Sequence, residues 1–145
     1  MFLGQYEHSI DEKGRLTIPH RFRTLLENGI YLMPGLDGNL MLMPYEYFQR
    51  ISSKIAKMNM ADPVARDYMR QFFANTEQVS HDDVWRVLVS QNLRQLCHLN
   101  STAIVVGSGQ YAEIWSPELW AGQLKKLNDP AASAKKFASL NLADE

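Results

Sequence analysis

Two acid–base pairs recur in this chain at one internal spacing: Asp11 before Arg15, and Asp82 before Arg86. An aspartate four residues ahead of an arginine, with a turn between them, can shape that turn and hold the guanidinium on a rigid bend. A guanidinium so held binds phosphate bidentately or meets O6 and N7 of guanine, which a turn of neutral residues cannot do. In the first copy Lys13 stands at the turn tip and Gly14 supplies the bend, while Arg21 and Arg23 follow. Lys13 to Arg23 thus carries four basic residues and no acid. Taken alone, each pair reads first as a hairpin salt bridge and turn cap with no partner, and Arg21 and Arg23 as a solvated face.

Other chemistry finds little support. There is no Gly-rich phosphate loop, nucleophile elbow or catalytic pair of carboxylates, so no catalytic residue and no small-molecule substrate are expected. Cys97 is the only cysteine, which excludes an intrachain disulfide and a Cys-based zinc site. Its place in a helix beside Leu96 predicts a core residue. His8, His20, His81 and His98 lack helical ligand spacing, and Asp82-Asp83 lacks a third oxygen donor. No metal and no cofactor are expected. Lys plus Arg number 15 against 16 Asp plus Glu, for a net charge of −1. Any attraction for nucleic acid must therefore be local, or gain strength by repetition in an oligomer. The N-terminus does not read as a signal peptide, and the apolar runs are too short to span a bilayer. A soluble, cytoplasmic protein is the expectation.

The elements that must position the arginines are themselves repeated. Moving Tyr6–Leu26 along by 71 positions superimposes Ser9 on Ser80, Asp11 on Asp82, Arg15 on Arg86, Arg23 on Arg94 and Leu25 on Leu96. One unit reads as a strand at Tyr6–Ile10, a type I turn at Asp11–Gly14 and a strand at Arg15–Ile18. A short helix over His20–Glu27, begun by Pro19, follows. Strands at Tyr31–Met33 and Leu40–Met43 complete the unit, and Pro44 opens a helix to about Met58. Asp62-Pro63 starts a connecting helix, Ser116-Pro117 starts another, and Ala131–Leu140 reads as a weak tail helix before a mobile end. Trp115 and Trp120 read as packing residues. The fold class is α+β, mostly β. Residues 1–60 form a first half, 61–75 a connecting helix, 76–127 a second half and 128–145 a tail. Either half alone is too small to bury a sufficient core.

At these motifs the chain resembles the MraZ family, within the wider group of AbrB-like, swapped-hairpin transcription factors. The likeness covers roughly residues 1–125. It runs through Met1-Phe2, Gly4, the stretch Glu7–Pro19, Gly35-Leu36-Asp37-Gly38, Pro44, Phe72-Phe73, Asp82 and Arg86, Val105, Gly107 and Glu113-Ile114-Trp115. The resemblance implies two tandem AbrB-like β-β-α-β-β units packed as one pseudo-twofold domain. It further implies a closed homo-oligomeric ring, octamer-like or larger, and a nucleoid-associated role. The implied partner is double-stranded DNA at direct repeats in the promoter of a division and cell-wall gene cluster. Lys13, Arg15 and Arg86 are then the DNA-facing residues, with Asp11 and Asp82 shaping their turns. Arg21 and Arg23 are candidate phosphate contacts.

The second copy departs from the first. Trp85 stands where Gly14 does, Val84 replaces Lys13, Asp83 replaces Glu12 and Ser90 replaces Pro19. A bulky residue is a poor occupant of positive φ, so a second turn of different shape is expected, with Arg15 dominating the reading of DNA. The same departure leaves an alternative: a ring-forming scaffold of this fold that does not bind DNA.

Overall fold

The architecture, described for residues 1–142 in a computed structural model, follows from the repeat, but its strands are exchanged between the halves. The first half contributes β1 (Gln5–Ser9), β2 (Arg15–Thr17), β3 (Ile30–Pro34) and β4 (Leu40–Pro44). The second contributes β5 (Glu77–Val79), β6 (Arg86–Leu88), β7 (Thr102–Gly107) and β8 (Ala112–Trp115). A six-stranded sheet runs in the order β1-β7-β8-β4-β3-β5, and β2 and β6 form a separate two-stranded ribbon.

The expected local hairpin around Asp11 is therefore corrected. β1 and β2 share only the Ile10–Leu16 bridge and then part. β1 pairs with β7, β5 pairs with β3, and β2 pairs with β6, all antiparallel. Leu16 faces Val87, its own repeat mate, and Met41 faces Glu113, its mate once a one-residue insertion in the second half is allowed. A pseudo-twofold axis thus passes through both pairs. Backbone pairing across this axis satisfies strand edges that each half alone would leave open.

Burial follows the alternation of the strands. Leu16, Ile18, Val87 and Val89 are fully buried beneath the ribbon, in one core with Phe22, Leu93 and the inward residues of the large sheet. Cys97 lies in this core, as its sequence context predicts. A second cluster of Tyr31, Met33, Met43, Ile55 and Phe72 fills the space under α1 (Tyr45–Ala56) and α2 (Pro63–Asn75). Phe48 of α1 stacks on Tyr31 at 4.0 Å between ring centroids.

The helix predicted at His20–Glu27 is instead two 3₁₀ turns, His20–Phe22 and Thr24–Leu26. Its counterpart, α3 (Gln91–Leu96), is a true helix. The cap explains the difference. Ser90 Oγ accepts the Leu93 N–H at 3.2 Å, whereas Pro19 has no side-chain acceptor to offer. Ser116 and Asp62 cap α4 (Pro117–Leu127) and α2 in the expected way. The tail helix is α5 (Pro130–Phe137), followed by a 3₁₀ turn at Ala138–Leu140. Residues 143–145, where mobility is expected, lie outside the described residues. Trp115 is buried. Trp120 rests against it, ring centroids 5.5 Å apart, and its indole N–H donates to Gln5 Oε1 at 3.0 Å.

Candidate nucleic-acid interface

Each Asp-x-x-x-Arg segment folds into the same compact turn. In the first, the Gly14 N–H donates to the Asp11 carbonyl at 2.9 Å, and the Asp11 N–H donates to the Arg15 carbonyl at 3.0 Å. Asp11 Oδ1 accepts the backbone N–H groups of Lys13 and Arg15, and Oδ2 accepts from Arg15 Nε at 2.7 Å. In the second, Asp82 accepts from the Val84 and Arg86 N–H groups and from Arg86 Nε at 2.7 Å. One carboxylate thus organises the bend and fixes its arginine. These bonds, the Arg N–H foremost, hold both aspartates below the usual carboxylate range even though partial burial pushes the other way.

The expectation of a differently shaped second turn does not hold. Gly14 has φ +86° and Trp85 has φ +58°, so both occupy the left-handed region. Trp85 is kept there by stacking flat on His81, with centroids 3.6 Å apart and planes at 9°. The Trp85 N–H donates to the Asp82 carbonyl, as Gly14 does to Asp11. The sequence feature that favoured a scaffold without DNA therefore leaves the bend unchanged.

The turns bracket the ribbon. The Val89 N–H donates to the Gly14 carbonyl at 2.8 Å and the Ile18 N–H to the Trp85 carbonyl at 2.9 Å. Because strand side chains alternate, Leu16 and Val87 point inward, and Arg15, Thr17, Arg86 and Leu88 share the outer face. Arg86 Nη1 lies 3.7 Å from Asp11 Oδ2, so the two motifs, 71 positions apart in sequence, form one cluster. The Arg15 side chain keeps 34% of its surface exposed on this face.

Lys13 and Arg21 are exposed, Lys13 at the tip of the first turn and Arg21 on the first 3₁₀ turn. Arg23 is half-buried, with Nε donating to the Ile18 carbonyl at 3.2 Å; its charge and local burial lower the pKa of His8, burial being the larger cause. The residue passed over as a site in the sequence is Arg94. Its Nε donates to the Val89 carbonyl at 2.9 Å, and its guanidinium lies over Gly14, where a Cβ would come within 2.8 Å of Nε. The signal was present, since Arg94 is the repeat mate of Arg23. Burial pushes the Cys97 thiol up to about 11, which leaves it protonated and unsuited to nucleophilic work. Among the described residues, no three His, Cys, Asp or Glu side chains group as metal ligands, and no helix is long and apolar enough to cross a membrane.

The MraZ family, described as antitoxin-like, matches this chain twice in tandem, over residues 1–71 and 72–141. The chain belongs to the MraZ family. Its relatives include a protein of Thermomicrobium roseum, 41% identical over 141 residues, covering 97% of this chain and 99% of the relative. A protein of Herpetosiphon aurantiacus is 37% identical over 139 residues, covering 96% and 97% respectively. One from Clostridium acetobutylicum is 36% identical over 142 residues, covering 98% and 100%. Each of the three bears the name Transcriptional regulator MraZ, a regulator's name and not an enzyme's. The two MraZ matches coincide with the two interlocked halves that meet at the ribbon.

Proposed function

We propose that this chain is a transcriptional regulator that binds double-stranded DNA through the β2–β6 ribbon. The observation that carries the reading is the presence of both motif arginines on one outer face, each fixed by its own aspartate. A two-stranded antiparallel ribbon fits the major groove, where arginine pairs with guanine O6 and N7. In this reading Arg15 and Arg86 contact base edges. Lys13, Arg21 and Arg23 contact phosphates, and Asp11, Gly14 and Asp82 set the turns. Residues 1–60 and 76–127 act together as one reading head, with 61–75 as connector and 128–145 as tail. No cofactor takes part.

The family likeness directs this reading to direct repeats in the promoter of a division and cell-wall gene cluster, engaged by a closed ring, octamer-like or larger, on the nucleoid of the cytoplasm. Several weak contacts on one ring combine into tight binding, which reconciles a near-neutral chain with a DNA partner. The edge strands and half-exposed Phe73 beside buried Phe72 are surfaces that a neighbouring subunit would cover. A gel shift with the repeat-bearing promoter fragment should give a discrete complex that weakens steeply as salt rises. Equal retention of an unrelated fragment of the same length would contradict the assignment.

A further inference from the structure

The outer face of the ribbon repeats its arginine but not the residues around it. Arg15 and Arg86 are repeat mates, but Thr17 is matched by Leu88 and Lys13 by Val84. In the ribbon Arg15 faces Leu88 and Thr17 faces Arg86. Leu88 is 52% exposed although its strand neighbour Val87 is fully buried. A single exposed leucine is ordinary on a protein surface. This one sits opposite a groove-reading arginine, on the strand face turned away from the core, where its repeat mate is a threonine.

The major groove offers one apolar group to such a side chain, the C5 methyl of thymine. Resting on the DNA-binding reading above, we propose that Leu88 is a specificity-determining residue that packs on a thymine methyl beside the base pair read by Arg15. At the other end of the ribbon Thr17 supplies a hydroxyl beside Arg86, able to donate or accept. The two ends of a pseudo-twofold ribbon therefore read different base pairs, and the ribbon has a direction on DNA. A subunit with a direction suits boxes repeated head to tail rather than inverted ones.

The test uses the full chain and duplexes that it selects from a random-sequence pool. Each thymine of a selected box is replaced in turn by deoxyuridine, which removes only the methyl. Removing one buried methyl should weaken binding by roughly 3- to 10-fold at one position of the box. Leu88→Ala should bind the thymine and uracil duplexes equally, with its melting temperature measured alongside. Thr17→Ala should retain the uracil effect. Selection of a sequence whose binding is indifferent to every uracil, or an effect that survives Leu88→Ala, overturns the inference and leaves the DNA assignment standing. Failure of the wild-type chain to select any sequence or to bind DNA in a salt-dependent way overturns both.

Discussion

Arg15 and Arg86 differ less than their surroundings in the sequence suggest. Both lie on the same ribbon face, both are held at 2.7 Å by their own aspartate, and Arg86 also reaches Asp11. The sequence-based expectation that Arg15 dominates is accordingly narrowed. Arg15→Ala and Arg86→Ala should each cost about 1–3 kcal/mol of DNA binding per contacting subunit. Anisotropy titrations at fixed salt should place the two within several-fold of one another. The aspartates give a pH prediction. Their folded-state pKa lies below the unfolded value, so the stabilisation they lend is complete above the ordinary aspartate pKa of about 3.9. It is lost as pH falls through the depressed folded value. A carbon-detected NMR titration should show Asp11 and Asp82 protonating below the ordinary aspartate range. Titration of Asp11 and Asp82 within the ordinary aspartate range would mean that the turn bonds are not formed in solution.

At the scale of elements, the two turns reach one shape by different means. Gly14 has no Cβ, and the space beside it holds Arg94 and the Val89 carbonyl, at 2.8–2.9 Å from where a Cβ would stand. Gly14→Ala should therefore destabilise the fold by about 1–3 kcal/mol, combining the left-handed backbone cost with a clash against main chain. Thermal melting reads this directly. Trp85→Gly relieves a positive φ but forfeits both the His81 stack and the packing of the indole on the main core, so it should lower the melting temperature. These cases show what the sequence could and could not convey. Turn chemistry, caps and strand alternation are local, so the strands, the turn at Asp11–Gly14 and the starts of α2 and α4 were legible from residue types. Strand partnership is not local. Tyr6–Ile10 and Arg15–Ile18 look like a hairpin because a short turn joins them, yet their partners lie in the other half. Trp85 misled because its stabilising neighbour, His81, is visible only once the turn is folded. Arg94 was matched to Arg23 in the repeat, but its place over Gly14 depends on the crossing of the two halves.

The exchange of strands makes the whole molecule the smallest folding unit. A chain of residues 1–71 lacks the partners of β1 and β2, so it should not melt as a cooperative monomer. Co-expression with residues 72–142 should restore a stable one-to-one complex by supplying β6 and β7. Sedimentation and thermal melting of the separate and mixed halves test this, and a stable monomeric half would contradict the interlocked fold. The same interlocking makes one reading face from two sequence motifs, which is the central claim. The most direct measurement is a titration of promoter DNA with the wild-type chain and the Arg15→Ala/Arg86→Ala double variant over a series of salt concentrations. The wild-type log affinity should fall linearly with log salt. The double variant should lose specific binding while staying folded in the wild-type oligomeric state, its melting temperature lowered only modestly by the loss of the half-exposed Asp–Arg pairs. A double variant that binds the promoter as the wild type does, with an unchanged salt slope, would contradict the assignment of the ribbon as the DNA-reading surface.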